Sequence, residues 1–211
     1  MYMPVQFDVT DKAVLHDVIA RYPLGTWVVS NGDEINVNHI PFMLDATRGE
    51  HGTLIGHVAR ANPVWKQLKE NTQSIVVFHA EQGYVSPNWY ASKQSNGRVV
   101  PTWNYAVVHA RGSAKTIEDA ASLLRIVSAL TDRHEADQAH PWKVSDAPAD
   151  YIDKLLGGIV GIEIPIESMQ GKFKLSQNRS EADRKGVLDA LQIGGDSLNH
   201  ALATRMQQNR K

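Results

Sequence analysis

The dipeptide Asn31-Gly32, set between two β-branched runs, constrains this chain most. Thr26-Trp-Val-Val-Ser30 precedes it, and Glu34 to Leu44 follows. Asn-Gly tolerates the left-handed backbone of a tight hairpin turn, so the runs predict two antiparallel strands. In the second run Ile35 and Val37 hold odd positions, while Ile40, Phe42 and Leu44 hold even ones. One extra residue at Asn38-His39, a β-bulge, would change the parity in this way. Pro41 lacks an N–H and suits an edge or a bulge. Bulges re-aim side chains, which makes Asn38 and His39 candidates for a site. A purely structural bend would leave the same trace.

Further strands are predicted over Thr53–Val58, Ser74–Ala80, Asn104–Lys115 and Ile159–Ile166. Thr10 can cap a helix over Asp11–Arg21, ended by Pro23. Asn62-Pro63 opens a helix through Leu68, with Asn as cap and Pro in the first turn. Glu118 to about Glu135 is amphipathic, with Ala121, Leu124, Val127 and Leu130 inward. Pro148–Leu156 is a short helix. Two more patterns, Asp183–Leu191 and Ser197–Met206, are separated by Gly194-Gly195. Local turns join many of the strands, and helices lie between only some of them. That order predicts a mainly β fold with helices, an antiparallel barrel with helices outside it. A parallel βαβ alternation would need more regular spacing. The expected organisation is one domain over 1–170 with a C-terminal helical segment, 171–211, packed on it.

Cysteine is absent, so disulfides and thiolate metal sites are excluded. The first residues show neither a basic start nor an apolar run. No stretch approaches the ~20 apolar residues of a membrane span. The expectation is a cytoplasmic protein without a membrane partner. From Lys172 onward the net charge is +4, against −5 for the residues before it. Such a tail suits an anionic partner or a solvated helical face. Gly157-Gly158-Ile-Val-Gly161 has the wrong spacing for a dinucleotide loop and precedes a strand, so close packing explains it better. The nine histidines form neither a His-x-His nor a His-Glu-x-x-His pattern, and no metal site is expected. No catalytic residue announces itself.

Three segments carry candidate binding residues. Residues 84–105 hold five of the chain's 15 aromatics among polar side chains. Tyr84, Ser86, Trp89, Tyr90, Lys93, Thr102, Trp103, Asn104 and Tyr105 offer flat apolar faces beside hydrogen-bonding groups, as a planar polar ligand requires. A wedge of aromatics closing the end of a β-structure would use the same residues. Gly56 to Pro63 runs from a strand into a helix start. There His57 and Arg60 can meet an anion, with Asn62 at the helix N-terminus; alternatively Asn62 is simply a cap and Arg60 a solvated cation. In Lys172-Phe-Lys-Leu-Ser-Gln-Asn178, strand alternation would point Lys174 and Ser176 the same way. With Gln177 they can hold a phosphate or a ribityl hydroxyl, or cap the helix that follows.

The blocks Met-Tyr-x-Pro-x-x-Phe at the start, His39-Ile-Pro41, Gly56-His-x-Ala-Arg-Ala-Asn-Pro-x-Trp65, Tyr84-Val-Ser-Pro-x-Trp-Tyr, Val100-Pro-Thr-Trp-Asn-Tyr105 and Gly171-Lys-x-Lys-Leu-Ser-Gln-Asn178 together resemble the PaiB-type family of FMN-binding negative transcriptional regulators. They cover the chain to about residue 190. The resemblance implies an FMN-binding split barrel, antiparallel and of Greek-key type, forming a homodimer with FMN at the subunit interface. Carried over by position, His57, Arg60 and Asn62 would lie on the phosphate and ribityl side. Tyr84 to Lys93 and Thr102 to Tyr105 would form the wall near the rings. Two other functions stay open. One is a flavin-dependent oxidoreductase acting on a small molecule. The other is DNA binding through a helix-turn-helix over Asp183–Met206, whose second helix offers only Arg205, with His200 beside it.

Overall fold

A computed structural model describes residues 1–30, 34–68, 72–193 and 196–209. The Asn31-Gly32 turn and the Gly194-Gly195 break lie outside the described residues. The strands are β1 (Asp8–Val9), β2 (Leu24–Ser30), β3 (Ile35–Pro41), β4 (Met43–Asp45), β5 (Thr53–Ala59), β6 (Gln73–Val85), β7 (Thr102–Ser113), β8 (Lys115–Ile117), β9 (Ile159–Pro165) and β10 (Ser168–Lys174). The helices are α1 (Lys12–Arg21), α2 (Ser92–Asn96), α3 (Ala120–Glu135), α4 (Ala149–Leu156), α5 (Glu181–Ile193) and α6 (Ser197–Gln208). The pairs β1–β10, β2–β3, β2–β6, β4–β5, β5–β9 and β8–β9 are all antiparallel. No helix among the described residues is long and apolar enough to cross a membrane.

The chain folds as two interleaved compact units. The first comprises Met1–Val18, His79–Val108 and Gln170–Lys211, and the second Ile19–Phe78 and His109–Met169. In the second unit β4, β5, β9 and β8 form one sheet in that order. Ile55 of β5 packs there with Ile126 and Leu130 of α3. Leu130 of α3 faces inward as expected, but its buried companions are Leu123 and Ile126 in place of Ala121, Leu124 and Val127. Both stripes satisfy a helical period, and contact with the sheet decides between them. Gly161 lies opposite His57 on the neighbouring strand. A Cβ there would stand 3.0 Å from Ile126 Cδ1, so this glycine does permit close packing.

The hairpin forms as expected, with β2 and β3 paired from Leu24↔Pro41 to Ser30↔Ile35. The bulge does not: the register runs unbroken through Asn38 and His39. Asn36, Asn38 and Ile40 occupy one face of β3 throughout, and Ile35 and Val37 the other, 73% and 55% exposed. The parity shift arises because two inward positions are amides. Asn36 Nδ2 donates to Gln67 Oε1 at 2.6 Å, and Asn38 Oδ1 accepts from Asn62 Nδ2 at 2.7 Å. Hydrogen bonding to these partners lets the two amides sit half-buried on the inward face.

In the first unit the strand order is β1, β10, β7, β6. Asp11, not Thr10, caps α1: its Oδ1 accepts from the Ala13 N–H at 2.9 Å. Helices α5 and α6 pack on each other, and Val187, Leu188, Leu191, Leu202, Ala203 and Met206 are buried. Arg205 is buried with them, only 5% exposed, and its Nε donates to Glu81 Oε2 at 2.9 Å.

Candidate functional site

Of the candidate residues in the second unit, Arg60 is the most heavily committed. Its Nε donates to Gly157 O at 2.9 Å, Nη1 to Glu118 Oε2 at 2.8 Å and Nη2 to Ile159 O at 3.1 Å. The guanidinium also lies 5.6 Å from the Trp65 ring centroid. A five-donor fork used in this way ties the end of β5 to the 157–159 backbone and to the Glu118 carboxylate. Asn62 is likewise occupied at both ends of its amide. Its Oδ1 accepts from the Val64 N–H at 3.0 Å, while its Nδ2 holds Asn38. The helix it was expected to open is a five-residue 3-10 turn, Pro63–Gln67, too short to offer an anion site of its own. His39 faces outward on β3, its Nδ1 3.1 Å from Thr26 Oγ1 across the strand pair.

His57 lies on β5, and its Nδ1 is buried without a hydrogen-bond partner among the described residues. Burial disfavours the imidazolium and holds the pKa below the usual value. The unfolded chain therefore binds more protons than the folded one in the window below about pH 6.5. Stability is present above that value and falls as pH drops through it. Thermal unfolding at pH 7.5 and pH 5.5 should show the loss, and His57→Gln should flatten the slope. Equal slopes in the two proteins would remove His57 from this role.

The first unit brings the aromatic segment together with the polar cluster of β10. Tyr84 at the end of β6 and Trp103 on β7 meet edge to face, with centroids 6.2 Å apart and planes at 62°. They are 48% and 47% exposed, an open apolar pair where strands usually turn such rings inward. Lys174 stands beside them: its Nζ donates to Thr102 Oγ1, and to Trp103 O at 2.8 Å. Desolvation, then Lys172 and Arg179, lower its pKa. Lys172 Nζ donates to Tyr2 O at 3.1 Å and lies 5.5 Å and 5.7 Å from the centroids of Tyr2 and Tyr105. Arg179 stacks on Tyr90, 4.6 Å from its centroid. Tyr90 itself is buried, so its ring is no open ligand face.

The remaining candidates shape this region from behind. Ser86 caps the Pro87–Trp89 turn by accepting from the Asn88 N–H at 3.2 Å, and Lys93 Nζ donates to Asn88 Oδ1. The half-buried Trp89 offers its carbonyl to the close approach of Gly186 on α5. Lys174 and Ser176 do not share a face, because β10 ends at Lys174 and Ser176 has φ +63°. That left-handed turn is fixed from within. Asn104 Nδ2 donates to Ser176 Oγ at 2.9 Å, Gln177 Oε1 accepts from the Leu175 N–H at 2.6 Å, and Gln177 Nε2 donates to Phe173 O. Asp183 fastens α5 to the aromatic segment by accepting from Ser92 N–H at 2.8 Å and Ser92 Oγ at 2.9 Å. The Ser92 N–H is the main reason its carboxyl titrates below the usual range. Sequence reasoning missed Tyr2, Arg179 and Asp183 as members of this region. Only the excess of positive charge from Lys172 onward hinted at Arg179.

The antiparallel fold is that of the FMN/FAD-binding split-barrel proteins. Residues 1–168 match the family described as "Putative FMN-binding domain", and the chain belongs to that family, whose cofactor is FMN. It is 30% identical over 192 residues to Protease synthase and sporulation protein PAI 2 of Bacillus subtilis, covering 91% of this chain and 89% of that protein. An uncharacterized protein of Emericella nidulans is 32% identical over 243 residues, covering 99% and 97%. Among solved structures, the FAD and heme binding protein of Mycobacterium smegmatis shares the fold at TM-score 0.58 and 17% identity, covering 79% of this chain and 73% of that one.

Proposed function

We propose that this chain binds FMN with the isoalloxazine against Tyr84 and Trp103, and that flavin occupancy sets a regulatory output of the PaiB type. The exposed Tyr84–Trp103 pair carries the reading. A flat ring on two half-exposed aromatics buries apolar surface on both partners. Thr102 and Lys174 supply polar groups at the ring edge. The first unit therefore fits FMN in donor set and in surface. Bound FMN supplies the redox chemistry, and the chain contributes orientation and electrostatics. Arg60 and Asn62 act as supports, their donors already committed internally. The regulatory role is favoured over an oxidoreductase by the Bacillus subtilis relative, whose name ties it to protease synthesis and sporulation. It does not run through α6 on DNA, since Arg205 is buried and His200 Nε2 meets Gln192 O at 3.0 Å. A twofold homodimer accompanies this reading. Leu24, Ile35 and Val37 leave an apolar outer face on the edge pair β2–β3, and such faces invite a partner.

Fluorescence titration tests the ring assignment. Stacking on one aromatic is worth ~1–3 kcal/mol for a nucleobase, a comparable flat ring. Trp103→Ala should therefore weaken FMN and riboflavin alike by about tenfold or more. Arg60→Ala should lower stability and leave both affinities near wild type. Light scattering on the same samples should give a dimer mass. Unchanged affinity in Trp103→Ala would remove the ring from this face.

A further inference from the structure

Lys172, Lys174 and Arg179 sit within eight residues of one another, and none has a carboxylate at ion-pair distance among the described residues. Each is partly buried, and each is held in place by something other than an opposite charge. Lys172 rests between the Tyr2 and Tyr105 rings and on the Tyr2 carbonyl. Lys174 is fixed by Thr102 and the Trp103 carbonyl. Arg179 lies on Tyr90. Asp183, on whose carboxyl the Arg179 charge acts, already accepts two hydrogen bonds from Ser92. Like charges held together repel, and a fold that fixes three of them carries a cost that a bound anion would offset.

The backbone between them is also constrained. Ser176, midway between Lys174 and Arg179, takes a positive φ that non-glycine residues rarely adopt, and the buried Asn104–Ser176 pair fixes it there. Strained turns of this sort persist where the surrounding structure over-determines them, often beside ligands. The strand's other face is spent on packing, with Phe173 buried under Arg205. The two lysines thus share the face that bears Trp103 and Tyr105, and the turn brings Arg179, seated on Tyr90, five residues after Lys174, where its charge and that of Lys172 both act on Lys174.

We infer that Lys172, Lys174 and Arg179 form a preorganised oxyanion receptor on the face that carries Tyr84 and Trp103, taking the phosphate or carboxylate of a flat, ring-bearing molecule. It rests on the reading of that face as the ligand face and adds the charge of what is bound. Two sources share this chemistry: the phosphate of FMN itself, and a second anionic ring compound bound on the flavin-loaded protein.

The experiment separates them. Lys172→Gln/Lys174→Gln and Arg179→Gln are compared with wild type and with Lys154→Gln, an exposed cation on α4. Flavin fluorescence gives the affinities for FMN and riboflavin. The flavin absorbance of the loaded protein then reports binding of nicotinate and of inorganic phosphate. If FMN is the source, the site variants lose about tenfold or more for FMN and less than about twofold for riboflavin, the scale of a charge-assisted hydrogen bond. If a second molecule is the source, FMN and riboflavin are unchanged, and nicotinate or phosphate binding, saturable in wild type and in Lys154→Gln, is lost. Wild-type affinities for all four ligands in both site variants would overturn the receptor. Absence of any flavin binding by the wild-type chain would instead refute the ligand face on which it rests. Far-UV circular dichroism confirms that the variants are folded.

Discussion

Glu81→Leu should destabilise the protein by about 3–5 kcal/mol, the cost of breaking a buried ion pair from one side. Arg205 and Glu81 are 5% and 8% exposed, and the Nε–Oε2 distance is 2.9 Å. Asp17 is the other acid near the guanidinium, 3.8 Å from Nη1 and half exposed, so it cannot replace Glu81. Nη2 is already buried without a partner among the described residues. Removing Glu81 would leave a cation in the interior over the Phe173 ring with little to balance it. A loss of this size shifts the midpoint of thermal unfolding by roughly 10 °C in a chain of this length. The double variant Glu81→Leu/Arg205→Met should recover most of the loss, because two apolar side chains of similar volume can replace a buried pair at little cost. If Glu81→Leu unfolds at the wild-type temperature, the pair does not hold α6 in place.

Gly186→Ala should also destabilise, against the sign that helix propensity predicts. Within a helix, Gly to Ala ordinarily gains about 1 kcal/mol. Here a Cβ would stand 2.1 Å from the carbonyl oxygen of Trp89 and 3.3 Å from its carbon. Backbone atoms cannot swing aside as a side-chain end can, so α5 or the Pro87–Trp89 turn must move. Overpacking of this kind costs about 1–3 kcal/mol, occasionally more. The displacement would strain the Asp183–Ser92 hydrogen bonds as well. Gly157→Ala is the comparison, because Gly157 has a right-handed φ of −62° and its nearest neighbour to a Cβ is 3.4 Å away. Urea unfolding should show a loss for Gly186→Ala and little change for Gly157→Ala. Equal stabilities would mean that α5 does not need this close approach.

Much of the architecture was legible in local sequence. Asn-Gly between β-branched runs marked the β2–β3 pair, and the aromatic segment contained the ring pair that the structure leaves exposed. What local pattern could not supply was the identity of distant partners. The parity change in β3 invited a bulge because inward positions were assumed to be apolar, whereas Asn36 and Asn38 are inward and satisfied by Gln67 and Asn62. Arg205 read as a cation on an exposed helix, yet its partner Glu81 lies 124 residues away. Arg60 read as an anion receptor, and its acceptors come from segments 58 to 99 residues on. The cations of β10 and its turn were half visible. Lys174 stood out in the sequence, but the Tyr2 backbone and ring that fix Lys172 are 170 residues distant. The interleaving of the two units has the same origin, since β6 and β7 each pass from one to the other.

The central claim is that this chain is an FMN protein. Its most direct test is titration of the flavin-free chain with FMN, followed by flavin fluorescence at micromolar protein. A saturable change with about one FMN per chain is expected, with the same end point when apo-protein is added to a fixed amount of FMN. No saturable change under these conditions would contradict it.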